Sequence, residues 1–288
     1  MVPLKNRKDE PMDIPRRKLG KTGAEVTIFG LGGEGVLRTF GREEEAYQLI
    51  NRGIDLGLNY FESARAYSGS ESYYGLALKE RRDEIFLTSK SHARDKRGAL
   101  AHLGETLRNM GTDHLDLWQV HDVRTEADMA EIFGPNGAIA AFEEAKEKGL
   151  TRFVGVTGHH DPEITLRCLE MYPFDTVLMP VNPGEPGYKS FLDVVMPVAV
   201  GKGMGVVAMK IYFRGLAARI PGYKGMAPFF RFALSQPVST AVIGCDDIIQ
   251  LEENVAFAQE FEPMSKEEMG DLQNQVAPYA RELMYYKP

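Results

Sequence analysis

From about residue 26 onward, short apolar runs alternate with longer segments of helical period. The runs are VTIFGLG (26–32), LNYFES (58–63), EIFLTSK (84–90), HLDLWQVH (114–121), RFVGVTG (152–158), TVLMPVN (176–182), GVVAMKIY (205–212) and STAVIGC (239–245). Most are nearly continuous in apolar residues. Strict alternation marks a sheet with one wet face, whereas unbroken runs suit parallel strands buried on both faces. Between them the apolar spacing predicts helices over 42–57, 70–82, 97–111, 137–149, 162–173, 189–203, 226–237 and 248–261. Several stop at a glycine (Gly57, Gly111, Gly149, Gly203) with the next strand directly behind, as left-handed C-caps do. A last helix, 265–283, opens on Ser265 three residues ahead of Glu268, a capping-box pattern.

Eight βα units without linker composition between them predict a parallel, eight-stranded (β/α)8 TIM barrel, a fold of about 250 residues. Residues 15–288 are then one domain, with the final helix appended and residues 1–14 as an N-terminal tail. The competing architecture is an open doubly wound sheet, which usually carries a G-x-G-x-x-G turn opening a helix after its first strand. Here GLGGEGVLRTFG follows the first run, with Gly30, Gly33 and Gly35, but it does not lead straight into a helix. The barrel is the better fit.

Composition narrows the class of function. A 43% apolar and 26% charged chain of 288 residues is ordinary for a soluble protein. The net charge of −7 and the lack of a basic stripe argue against a nucleic-acid partner. The basic N-terminal residues, LKNRKDE and then PRRKLGKTG, read as a solvated tail. Two cysteines, Cys168 and Cys245, make neither a disulfide framework nor a zinc-ribbon spacing, so a reducing cytoplasm is expected. No stretch reaches the roughly 18 apolar residues of a membrane span, and no signal-peptide core is present.

In a barrel the chemistry sits at the carboxyl ends of the strands. The second run ends at Glu62, with Tyr67 in the loop beyond; the third ends at Lys90 and the fourth at His121. The fifth ends in Thr157-Gly158-His159-His160, the sixth at Asn182, and the seventh carries Lys210. Singly, each has a plain structural reading as packing, a solvated charge or a loop hydrogen bond. A carboxylate, a phenol, an ammonium and an imidazole from three consecutive strands make that reading weaker.

These stretches resemble a known family. LGLNYFESARAYSGSE is similar to the aldo-keto reductase motif (I/L)N-x-F-D-T-A-x-x-Y-G-x-SE. LTSK resembles the family's lysine strand, DLWQVHDV its histidine strand, and RFVGVTGHH its R-x-x-G-(V/I)-S-N segment. VIGCDDIIQLEEN resembles the family's cofactor-holding run, and RRKLGKTGAEVTIFGLGG its opening. The resemblance spans about residues 15–261 in order. It implies reduction of a small-molecule carbonyl by NADPH or NADH, with Tyr67 as general acid, Lys90 lowering its pKa, Glu62 holding Lys90, and His121 orienting the substrate. It also implies a cofactor site drawn from Thr157, Gly158, Asn182, Lys210, Tyr212, Arg214, the backbone of Gly244, Gln250 and Asn254. Lys210 and Arg214 are its candidates for phosphate, because loops after the last two strands often bind phosphate in barrels.

This chain departs from the family pattern at several of those positions. Glu62 stands for the usual aspartate and Ser63 for threonine. Thr157-Gly158 replaces Ser-Asn, Leu178 falls where glutamine is expected, and Met209 or Lys210 falls where an aromatic stacks on nicotinamide. Gln250 takes the place of an arginine, and Asp246 and Asp247 disfavour a 2′-phosphate, which tilts the expectation towards tolerance of NADH. The altered pocket leaves open a nicotinamide-nucleotide-sensing binding protein, as among channel-associated members of the fold. A metal-dependent hydrolase or isomerase using His121, His159, His160 and Asp161 is also conceivable. No metal is expected, because those histidines have no dedicated spacing and adjacent His159 and His160 should point apart. The longer segments 122–137 and 213–225 are the candidate specificity loops. Neither the substrate nor the oligomeric state is legible.

Overall fold

The computed structural model describes residues 13–288, so residues 1–12 of the expected tail lie outside it. The described residues form ten strands: β1 (Arg16–Lys18), β2 (Glu25–Thr27), β3 (Phe29–Gly35), β4 (Tyr60–Glu62), β5 (Phe86–Ser91), β6 (Leu115–Val120), β7 (Thr151–Thr157), β8 (Thr176–Pro180), β9 (Gly205–Met209) and β10 (Thr240–Cys245). β3 to β10 pair in parallel in chain order, and β10 returns to β3, closing the barrel. Each of the eight apolar runs contributes a barrel strand, and the structure is the (β/α)8 fold that the pattern predicts.

The barrel is filled, as its apolar runs require. Tyr60, Phe86, Leu117, Leu178, Val207 and Val242 form an inner cluster in which Tyr60 and Phe86 stack at 5.6 Å. A larger apolar layer lies between the strands and the surrounding helices, with Trp118 stacked on Phe142 at 3.7 Å. A third cluster gathers Phe213, Phe229, Leu272, Val276 and Leu283, joining the last helices to the loop after β9. No helix among the described residues is long and apolar enough to cross a membrane.

The structure corrects several expectations. The first apolar run is not one strand: β2 pairs antiparallel with β1, and the barrel strand begins only at Phe29. Leu19 and Val26 of this hairpin enter the inner cluster, and Arg17 donates to the carbonyls of Val238 (2.8 Å) and Leu234 (3.0 Å). PRRKLGKTG is therefore a plug on the barrel, not a solvated tail. The barrel strand also runs on through the glycine-rich GLGGEG to Gly35, beyond the expected end at residue 32. Glycine permits this because a Cβ on Gly35 (φ +67°) would lie 2.3 Å from the Cys245 carbonyl oxygen.

The helix expected over 189–203 is two, Phe191–Val194 and Met196–Gly201, because Pro197 has no N–H to continue the first. The capping box at Ser265 forms, but its helix ends at Val276, ahead of Pro278. Within the expected specificity loop 122–137 a helix, Glu126–Ile132, opens on its own capping box, Thr125 with Asp128. That T-x-x-D signal was present in the sequence.

Candidate active site

Strand register brings the acid–base residues together. Glu62 is in register with Thr88 on β5, which carries Lys90 one outward step further along. Lys90 is in register with Gln119 on β6, and His121 follows two residues later. The Lys90 ammonium forms an ion pair with Glu62 and donates to the Ser63 carbonyl at 2.8 Å; both charged side chains are buried. Beyond β4 the chain turns back through Tyr67 N–H to the Ala64 carbonyl (2.9 Å), with Ser63 donating to Ser70 at 2.7 Å. The turn places the Tyr67 ring 4.7 Å from Lys90 Nζ and edge-on to the His121 ring at 5.7 Å. Arg38, in the loop after β3, covers the same ring at 4.9 Å.

Burial sets the electrostatics of the cluster. Burial raises the Tyr67 phenol above its ordinary pKa; Glu34 and Asp122 add to the rise, while Arg38 and Arg214 oppose it. The Lys90 charge is met by Glu62, and burial pushes the Lys90 ammonium well below its usual value. Tyr67 is consequently a protonated phenol at neutral pH. Burial, with the nearby Lys90 charge, pushes His121 well below its ordinary value, so its imidazole is neutral and carries one N–H.

Two cavities meet at Tyr67. One, of about 610 Å³, runs from Tyr67 and Glu62 past Lys210, Arg214 and Gly244 to Gln250. The other, of about 650 Å³, is walled by Lys90, His92, His121, Thr157, His159 and His160. Tyr67, Leu178, Met209 and Lys210 line both. Of the expected cofactor residues, Lys210, Tyr212, Arg214, Gly244, Gln250 and Asn254 line the first cavity, and Thr157 lines the second. Gly158 and Asn182 line neither. Gly158 is packed against Thr165, whose Oγ1 would lie 2.2 Å from an added Cβ. Asn182 is fully buried, donating to Tyr286 (3.0 Å) and accepting from the Gly184 N–H (3.1 Å).

The far end of the first cavity is locked by short contacts. Asp247 caps the helix Ile248–Gln259 by accepting from the Gln250 N–H (2.8 Å), and the Gln250 side chain accepts from the Asp246 N–H (2.9 Å). Tyr212 donates to Asn254 (2.6 Å), which donates to the Gln250 carbonyl (2.7 Å). Asp246 and Glu253 both line this end.

Some residues at the mouth were missed by sequence reasoning. Glu34, on β3, pairs with Arg38 (2.8 Å) and with Arg214 (3.6 Å). Burial alone would raise Glu34, but the charges of Lys210, Arg38 and Arg214 hold it below its usual value. The chain's last residues fold back over the same region. Lys287 pairs with Glu185 at 2.7 Å with neither side chain exposed, and Arg214 donates to Tyr285 at 2.9 Å. His159 and His160, expected to diverge, both line the second cavity with ring centroids 4.8 Å apart.

A buried acid–base cluster where two cavities meet, at the carboxyl end of a parallel barrel, invites comparison with known proteins. Residues 28–220, more than half of the chain, match the model of the aldo/keto reductase family. The chain is 25% identical over 295 residues to an L-galactose dehydrogenase of Arabidopsis thaliana, covering 88% of this chain and 91% of that protein. It is 26% identical over 168 residues to a putative voltage-gated potassium channel subunit beta of Schizosaccharomyces pombe, covering 51% of this chain and 46% of that one. Among solved structures, the holo form of aldo-keto reductase AKR11C1 from Bacillus halodurans superposes with a TM-score of 0.76 at 23% identity, covering 92% of this chain and 96% of the other. The chain belongs to the aldo/keto reductase family of nicotinamide-dependent oxidoreductases.

Proposed function

We propose that this chain reduces a small-molecule carbonyl with Tyr67 as the proton donor. The observation that carries the reading is the placement of a protonated phenol at the junction of two cavities, flanked by Lys90 and by a neutral histidine. Hydride arriving at a carbonyl carbon leaves charge on oxygen, so a proton and a hydrogen-bond donor must be waiting there. Tyr67 supplies the proton. His121 holds the oxygen through its single N–H. Lys90 and Glu62, fixed by their ion pair, keep the Tyr67 ring in place.

The residues present fit a dinucleotide. The cavity of about 610 Å³ is within the ordinary range for ligand pockets. At Gly244 a Cβ would lie 2.6 Å from the Glu34 backbone, so only glycine lets this wall pack so closely against β3. Lys210 and Arg214 would hold phosphate, and Tyr212, Gln250 and Asn254 would border the nucleotide end. When bound, the nicotinamide supplies the hydride. Asp246 and Glu253 at that end would repel a 2′-phosphate, which supports use of NADH beside NADPH. Thr157 faces the carbonyl cavity instead, while Gly158 and Asn182 would act by holding that wall in shape.

The second reading is a nucleotide-sensing binding protein, favoured by the absence of Gly158 and Asn182 from both cavities. Oxidation of NADPH and NADH against aldehydes and quinones separates the two. The wild type should turn over, and Tyr67→Phe should lose about 10²–10⁴-fold with cofactor binding retained. Cofactor binding without turnover on any carbonyl overturns the enzyme reading. An equally active Tyr67→Phe variant overturns the role of Tyr67.

A further inference from the structure

Asp122, His159 and His160 stand on the wall of the second cavity, beside the acid–base cluster. They come from the ends of adjacent strands: Asp122 follows β6, the two histidines follow β7, and Val120 is in register with Val156. We infer that these three side chains form a site for one divalent transition-metal ion of the zinc class. A ligand atom from each lies within 4.8 Å of the others, so small side-chain rotations would bring all three onto one ion with ligand bonds of about 2.0–2.2 Å. Two imidazoles and a carboxylate suit zinc, iron or cobalt, whereas calcium and magnesium prefer oxygen alone.

The carboxylate is held in a way that ordinary packing does not explain. Asp122 is about nine-tenths buried and adopts a left-handed backbone (φ +55°), unusual for a residue other than glycine. Three hydrogen bonds hold it there: its N–H donates to Thr157 Oγ1 at 2.7 Å, and Arg94 donates to the carbonyls of His121 and Asp122, each at 2.7 Å. Arg124 Nε donates to Oδ2 at 2.6 Å. Oδ1 is buried and has no hydrogen-bond partner. A buried carboxylate oxygen left without a donor is costly and calls for a cause.

His159 Nδ1 lies 3.3 Å from Oδ1. One metal ion between them would engage the ring nitrogen and the free carboxylate oxygen together. Arg124 then plays the part that outer partners play at such centres, fixing the carboxylate through its other oxygen. The positive charges of Arg124 and Lys210 weaken the site relative to a closed structural zinc. Three protein ligands on a cavity wall leave coordination positions for water or a substrate oxygen.

The test needs no turnover, so it stands or falls apart from the carbonyl-reductase reading. The full chain, stripped with chelator, is titrated with Zn²⁺ by calorimetry and with Co²⁺ by visible absorption. Wild type should bind one equivalent. His160→Ala and Asp122→Asn should each weaken binding by at least about 10-fold, while His114→Ala, which lies on the exposed surface beside Asp113, should not. His160 is part-exposed, so its variant carries the test if a change at Asp122 disturbs folding. An absence of saturable Zn²⁺ binding, or full affinity retained in folded His160→Ala, overturns the inference.

Discussion

The two sides of the barrel mouth are built by different rules. On the side of β4, β5 and β6, the residues that matter end their strands or follow within a few positions, and hydrogen-bond register alone sets their spacing. On the side of β8, β9 and β10 the wall is made by loops and by the returning C-terminus. Asn182 is sealed by Tyr286, 104 residues away, and Lys210, Phe213 and Arg214 all hold positive φ. The first side should therefore be rigid and intolerant of charge removal. The second depends on a strap that can be loosened without dismantling the barrel.

The largest expected effect breaks the first side. Lys90→Met leaves Glu62 buried without its partner and should cost about 3–5 kcal/mol in denaturant unfolding. The double change Glu62→Gln with Lys90→Met should recover much of that loss. A single variant as stable as wild type would show that the ion pair does not hold this side together.

On the second side, Lys287→Ala should cost less, about 1–3 kcal/mol. Glu185 keeps the Phe191 N–H (2.9 Å) and Tyr286 hydroxyl (3.3 Å) as donors. Burial already raises Glu185 to about 7, against the pull of Lys287, so it can shed its charge by taking up a proton. The sign follows from that raised value. The stabilising protonation is fully present below the ordinary 4.5 and is lost as pH rises through 7. Removing Lys287 raises Glu185 further, so the variant should gain stability, relative to wild type, as pH falls from 7 to 5. Thermal melts across that range check it, and a deficit that grows on acidification would contradict it.

Smaller effects sharpen the account of Tyr67. Because burial raises its pKa, reduction at saturating cofactor should show no loss attributable to this phenol between pH 7 and 9. A fall in kcat that follows a group titrating near 8, and that Tyr67→Phe removes, would point instead to a lowered phenol. Glu62→Asp should be the mildest change, altering kcat/KM only a few-fold, since the shorter carboxylate keeps the charge opposite Lys90. Abolished turnover in a folded Glu62→Asp protein would assign the longer side chain a role of its own.

How much was legible follows the same division. The barrel and the set Glu62, Tyr67, Lys90 and His121 could be read because unbroken apolar runs mark buried parallel strands, and strand ends mark the mouth. The hairpin split near Ile28 was hidden, since β2 and β3 form one apolar run although only β3 joins the barrel. Glu34 lay inside a stretch that looked like loop, and became strand only through close approach of glycine backbone to β10. The Glu185–Lys287 pair had no sequence signal, because nothing local links residues so far apart. The phenol's raised pKa was hidden for another reason: it follows mainly from burial, with Glu34, Arg38, Asp122 and Arg214 around the ring.

The most direct test follows one hydrogen. With cofactor carrying deuterium at the nicotinamide C4, and a carbonyl substrate the wild type turns over, the label should appear on the former carbonyl carbon. The hydroxyl proton should come from Tyr67, so the same label should transfer about 10²–10⁴-fold more slowly in Tyr67→Phe. Product whose carbon carries solvent hydrogen, or transfer undiminished in that variant, would contradict the account.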